Sequence, residues 1–101
     1  METTVKKTAN GYEVYLDGRL DTAAAPQVSK DMGVVYDCED GEILLDCTKL
    51  NYISSSGIRI FLSLLKYAKA NNVEVIIKGL SIAVKQVLQM TGLLPLFKMV
   101  D

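Results

Sequence analysis

Short apolar runs alternate with helix-period segments along this chain, and that alternation restricts it to a sheet with helices packed on it. Residues 3–7 are β-branched and polar, as in an edge strand. Asn10-Gly11 is a two-residue turn signal. Tyr12, Val14 and Leu16 then alternate with Glu13, Tyr15 and Asp17, the period of a half-buried strand, and Asp17-Gly18 marks its end. Ile43-Leu44-Leu45 is a continuous apolar run, which predicts a strand covered on both faces. Val73, Val75, Ile76 and Ile77 make a further buried strand ended by Gly79, and Leu94 to Val100 holds a last apolar run.

Between these runs the period changes to that of a helix. Asp21-Thr22 predicts a helix start, with Pro26 in the first turn, where its missing N–H costs little. Val28, Met32 and Val35 form one apolar stripe, and Gly33 weakens that helix. A second helix is predicted from about Ser56 to Asn71, burying Ile58, Phe61, Leu62, Leu65 and Ala68. Ser81 is an N-cap candidate for a third, which carries Val84, Val87 and Leu88, with Gly92 past its end. The order β-β-α-β-α-β-α-(β) makes this an α/β chain with a mixed sheet.

Composition excludes several kinds of function. The 101 residues leave room for one domain, and half are hydrophobic, enough for one core. A formal charge of −1 gives no field for nucleic acid. No apolar run is long enough to span a membrane, and the Met1 end lacks the pattern of a secretory leader, so the expected location is the cytoplasm. Histidine is absent, which removes the usual general base and any Ser-His-Asp triad. Ser-x-x-Lys, Gly-x-Gly-x-x-Gly and Gly-Lys-Ser/Thr are missing as well. Asp17, Asp21 and Asp46 follow no metal-loop spacing, and Cys38 and Cys47 read as two free thiols. No enzyme, no metal and no cofactor is expected.

The chemistry that remains is at Ser54-Ser55-Ser56-Gly57, where a loop turns into a helix. The first N–H groups of a helix lack internal partners and favour acceptor oxygens and negative charge. One serine can cap the helix by accepting from the N–H of Ile58 or Arg59; a serine there can also carry a phosphate. On the same helix Ile60, Leu64 and Tyr67 recur off the main stripe. They either meet a neighbouring helix or form an exposed strip for a partner. Gly18-Arg19-Leu20-Asp21 is a further cluster, of which a helix start accounts only for Asp21.

Taken in order, several segments resemble the STAS domain family of bacterial anti-sigma factor antagonists. They are Leu16-Asp17-Gly18-Arg19-Leu20-Asp21-Thr22, Ile43 to Leu50, Tyr52-Ile53-Ser54-Ser55-Ser56-Gly57-Ile58, Val84 to Leu93, and Leu96-Phe97. The resemblance covers almost the whole chain and implies one STAS domain over residues 1–101. It implies a mixed four- to five-stranded sheet with helices mainly on one face. It also implies a binding role without catalysis. The unphosphorylated domain would capture an anti-sigma factor that is also a serine kinase, and so free a sigma factor. Phosphorylation would end the capture and a serine phosphatase would restore it.

The family's phosphorylated serine stands two residues before the glycine, which is Ser55 here, with Ser56 as a reserve. The position before it is usually aspartate in the family and is Ser54 in this chain. The expected docking region is residues 52–67, with Asp21, Tyr52, Ser54, Ser56, Gly57, Ile58, Ile60, Leu64 and Tyr67 as contact candidates. The expected species is a monomer or weak dimer. The alternative is a module of the same fold in another signalling or transport assembly, without a phosphorylation cycle.

Overall fold

A computed structural model describes residues 1–100. Five strands form one sheet in the order β1-β2-β3-β4-β5. They are β1 (Glu2–Thr8), β2 (Gly11–Leu20), β3 (Glu42–Ile53), β4 (Glu74–Lys78) and β5 (Lys98–Val100). β1 runs antiparallel to β2, and the remaining pairs are parallel. Three helices connect the parallel strands: α1 (Ala25–Asp31), α2 (Ser55–Ala70) and α3 (Ile82–Met90).

Strand residues alternate between two unlike faces. Tyr12, Val14, Leu16, Ile43, Leu45, Cys47, Val75 and Ile77 are buried with Val28, Met32, Phe61, Leu64, Leu65, Val84 and Leu88 of the helical layer. The other face carries no helix. Leu44 and Ile76 on it are only half-buried, beside Tyr15, Asp46 and Lys78. The expectation that Ile43–Leu45 is covered on both faces is therefore corrected. An apolar run needs a second cover only if nothing else shields its alternate residues, and here neighbouring strand side chains shield Leu44 in part. The mixed sheet with helices mainly on one face is as expected.

Glycines account for most of the boundary differences. The hairpin loop is Ala9-Asn10, since Thr8 already pairs with Gly11. Gly11 is the first residue of β2, where a Cβ would collide with the carbonyl oxygen of Glu42. It permits the close start of β3 and does not form the turn. Gly18 likewise does not end β2. It has a φ of +114° and lies where the β2–β3 register shifts, and the strand continues to Leu20. α1 begins at Ala25, after a turn in which Asp21 Oδ1 accepts from the Ala24 N–H at 2.9 Å. Its helical winding tightens into a 3-10 turn over Met32–Asp37, beginning next to Gly33. Val28, Met32 and Val35 are buried as the stripe requires.

Candidate functional site

The carboxyl end of β3 runs directly into α2. The Ser54 N–H donates to the Leu20 carbonyl at 2.8 Å and so extends the β2–β3 ladder by one step. The Ser54 carbonyl then accepts the first helical bond from Ile58, at 2.9 Å. Ser54 is thus the N-cap, and its Oγ accepts from the Gly57 N–H at 3.2 Å. The sequence left three serines open for this role and aimed the cap at Ile58 or Arg59. The cap is Ser54 and the donor is Gly57, the third residue of the helix.

This division of labour separates the three hydroxyls. Ser54 is buried with 7% of its surface exposed, and its oxygen is occupied. Ser56 is half-buried, and Ser55, the first residue of α2, is exposed. The first turn of α2 contains no acidic residue. The positive end of the helix therefore lies open next to the Ser55 hydroxyl.

Gly57 sets how α2 meets the sheet. A Cβ there would lie 2.6 Å from Leu20 Cγ and 2.9 Å from Ile53 Cγ1. The bare backbone lets the helix press against the ends of β2 and β3, and this rotates the buried stripe to Gly57, Phe61, Leu64, Leu65 and Ala68. Ile58 and Leu62, expected inside, are half-buried instead. A stripe counted only from apolar side chains overlooks the glycine that anchors it.

The rotation also changes the expected outer strip. Leu64 is fully buried, so its side chain belongs to the core and not to an exposed docking strip. Tyr67 donates from its hydroxyl to the Cys38 carbonyl at 2.6 Å and packs edge-on to Tyr36 at 4.9 Å. It ties α2 to the segment before β3. Ile60 packs half-buried against the core. Of the two readings of the strip, contact with neighbouring elements is the one the packing follows. Gly57 too is buried. Asp21 is half-buried, with one oxygen engaged at Ala24.

Arg19, outside the expected docking region, stands next to one of its contact candidates, Tyr52. Arg19 and Tyr52 are register partners on β2 and β3, and the guanidinium lies 4.3 Å from the Tyr52 ring centroid. Tyr52 remains 40% exposed. The signal was present in Gly18: once the strand continues past it, Arg19 falls opposite Tyr52. Arg59 lies one helical turn beyond Ser55 and is exposed. Arg19 and Tyr52 lie near the ends of β2 and β3, and Ser55 and Arg59 in the first turns of α2, which follows β3 directly.

The opposite end is structural. The Tyr12 hydroxyl donates to Asp37 Oδ1 at 2.6 Å, and this bond with lost hydration pushes the phenol up to about 12. Cys38 and Cys47 are buried and free. Burial, reinforced by Asp46, pushes the Cys47 thiol up to about 12. A recess of about 630 Å³ opens on the helix-free face, lined by Lys6, Tyr15, Asp46 and Lys78 among others, and none of residues 52–59 lines it. Among the described residues no three carboxylate or thiol groups gather at metal-ligand spacing. No helix among the described residues is long and apolar enough to cross a membrane.

Comparison with known proteins bears on the family and the fold. Residues 2–101 match the sequence model of the STAS domain. The chain is 29% identical over 82 residues to the anti-sigma-B factor antagonist of Listeria monocytogenes, covering 80% of this chain and 71% of that protein. The fold superposes with a TM-score of 0.88 on an anti-sigma-factor antagonist (STAS) domain protein from Planctomyces limnophilus, at 16% identity, covering 98% of this chain and 88% of that one. The phosphorylated form of the Bacillus cell fate determinant SpoIIAA superposes with a TM-score of 0.76, at 20% identity, covering 99% and 92%.

Proposed function

The chain belongs to the STAS domain family, and from that premise we propose that it is a cytoplasmic anti-sigma factor antagonist switched by phosphorylation of Ser55. In the unphosphorylated form it captures a serine-kinase anti-sigma factor and so releases a sigma factor. The phosphorylated form does not dock, and a serine phosphatase restores it. No step in the chain's own role requires catalysis. The observation that carries this reading is the division of the serine junction. Ser54 is consumed as the buried cap, which leaves the neighbouring Ser55 exposed on the first helical position.

Phosphate at that position adds about −1.5 to −2 charges beside the positive end of α2, which the domain tolerates without unfolding. The same charge facing a docked partner opposes the complex through repulsion and lost hydration. The domain need not change shape for capture to fail. Contact falls to the exposed and half-exposed residues of the region: Tyr52, Ser55, Ser56, Ile58 and Ile60, with Asp21 at the margin.

The test is to incubate the chain with its cognate kinase and ATP and to map the modification by mass spectrometry. Phosphate on Ser55 is expected. No phosphate there, from a kinase active on another substrate, overturns the regulatory part. A second reading, a binding module of the same fold without a cycle, is favoured by Ser54 standing where the family usually has aspartate. A kinase that reads that carboxylate would not find it. Ser55→Ala and Ser55→Asp separate the two: equal partner binding supports the second reading, and loss only in Ser55→Asp supports the first.

A further inference from the structure

Of the eleven lysines and arginines in the chain only Arg19 and Arg59 are arginine, and both stand beside the serine junction. Neither has a carboxylate within 4.0 Å among the described residues, where the ion pair found is Lys98–Glu74, away from this end. α2 contains no acidic residue at all. Asp21, two positions from Arg19, is half-buried and holds the Ala24 N–H on Oδ1 at 2.9 Å. Two guanidinium groups are therefore exposed without carboxylate partners.

Arg19 is also held in place. Its guanidinium lies 4.3 Å from the Tyr52 ring centroid. Stacking leaves the in-plane N–H donors free while restricting the side chain, so less freedom is lost when an acceptor docks. A guanidinium is weakly hydrated and pairs with carboxylates through two parallel bonds. Tyrosine and arginine are also the side chains enriched where protein interfaces concentrate their binding energy. The apolar strip that would have offered a different kind of surface is used up inside the fold, since Leu64 is buried and Tyr67 is tied to Cys38.

We propose that the stacked Arg19–Tyr52 pair and Arg59 form a cationic docking surface that fits an acidic, carboxylate-bearing face of the partner protein. This rests on the docking reading above and names the partner's chemistry. It also gives the switch a specific target. Side chains four apart on a helix are neighbours, about 5–6 Å between Cβ atoms. A phosphate on Ser55 therefore competes with the partner's carboxylate for Arg59 and repels that carboxylate.

The experiment measures affinity for the purified serine-kinase anti-sigma factor, by calorimetry at about 50 and 500 mM NaCl, salt levels that change screening severalfold. Arg19→Glu and Arg59→Glu are each expected to weaken binding by roughly tenfold or more. Arg19→Lys is expected to fall between wild type and Arg19→Glu, since it keeps charge but loses the planar fork. Lys7→Glu, at the far end of the sheet, is the control and is expected to bind as wild type. Far-UV circular dichroism checks folding, and Arg19→Gln and Arg59→Gln replace a variant that does not fold. Wild-type binding that is insensitive to salt, or folded variants at both arginines that bind as wild type, overturns the inference and leaves the docking reading standing. A wild-type chain that captures no kinase overturns both.

Discussion

Replacing Gly57 with alanine tests whether the closeness of α2 to the sheet organises the serine junction. The added methyl would lie 2.6 Å from Leu20 Cγ, which falls 0.8 Å short of the 3.4 Å where ordinary contact begins. Leu20 is fully buried and Ile53 nearly so, so neither can swing into solvent. Overpacking of this kind costs about 1–3 kcal/mol. Lifting the first turn of α2 instead stretches the bond from the Gly57 N–H to Ser54 Oγ, and a lost cap costs about 1 kcal/mol. Alanine returns at most about 1 kcal/mol of helix propensity, and less in a first turn than mid-helix. The net expectation is a loss of about 1–3 kcal/mol. Urea unfolding followed by circular dichroism reads it as a lower midpoint with an unchanged slope. Thermal unfolding reads it as a fall of about 4–8 °C per kcal/mol. Leu20→Ala in the same background sharpens the test. Alone it opens a cavity costing about 2–5 kcal/mol. Combined with Gly57→Ala the methyl occupies part of that space, so the two losses should sum to less than their parts. A Gly57→Ala chain as stable as wild type, or strict additivity of the pair, would refute the close-approach account.

Ser54→Ala removes the cap while leaving Ser55 in place, and should lower stability by about 1 kcal/mol in the same urea assay. Tyr67→Phe deletes the hydroxyl bound to the Cys38 carbonyl and should lower the urea midpoint. Tyr12 links the fold to pH. Its phenol is raised from 10.0 to about 12 by the bond to Asp37 and lost hydration, so the neutral form is the one the fold favours. That stabilisation is complete below pH 10 and is lost as pH rises towards 12, so stability should decline across this window, and less steeply in Tyr12→Phe. The Cys47 thiol, pushed up to about 12 by burial, should resist alkylation at pH 8 until the chain is unfolded.

The order of elements was readable because apolar period is a local property. Val28, Met32 and Val35 fell on one face, and Ser81 caps α3 through the Val84 N–H at 3.2 Å. The glycines were less readable. Asn10-Gly11 looks like a turn and Asp17-Gly18 like a strand end. What each glycine does depends on what stands across from it, which is Glu42 for Gly11 and the shifted β3 register for Gly18. Neither can be seen from adjacent residues. The same limit affected the site. Gly57 contributes nothing to an apolar count, so a stripe of α2 counted from apolar side chains is centred too far round and leaves Leu64, a core residue, off it. Arg19 and Tyr52 lie 33 positions apart in sequence and meet only through the continuation of β2 past Gly18.

Ser54 illustrates how far fold and switch can be separated. What the fold needs at the end of β3 is an acceptor oxygen facing the Gly57 N–H, and both serine and aspartate supply one. Serine does so at a position with 7% exposure, where a carboxylate would lose hydration in exchange for helix-dipole attraction. Helix α2 can therefore start in the same place with either residue. The negative charge is what this chain lacks, and its absence acts only on what approaches from outside. Without it, position 54 offers Arg19 and Arg59 no competing carboxylate, and a phosphate on Ser55 has no like charge on the preceding residue to oppose it. Ser54→Asp is therefore expected to leave stability within about 1 kcal/mol of wild type while weakening partner capture. Unchanged capture with unchanged stability would show that a charge at position 54 does not act on the docking surface.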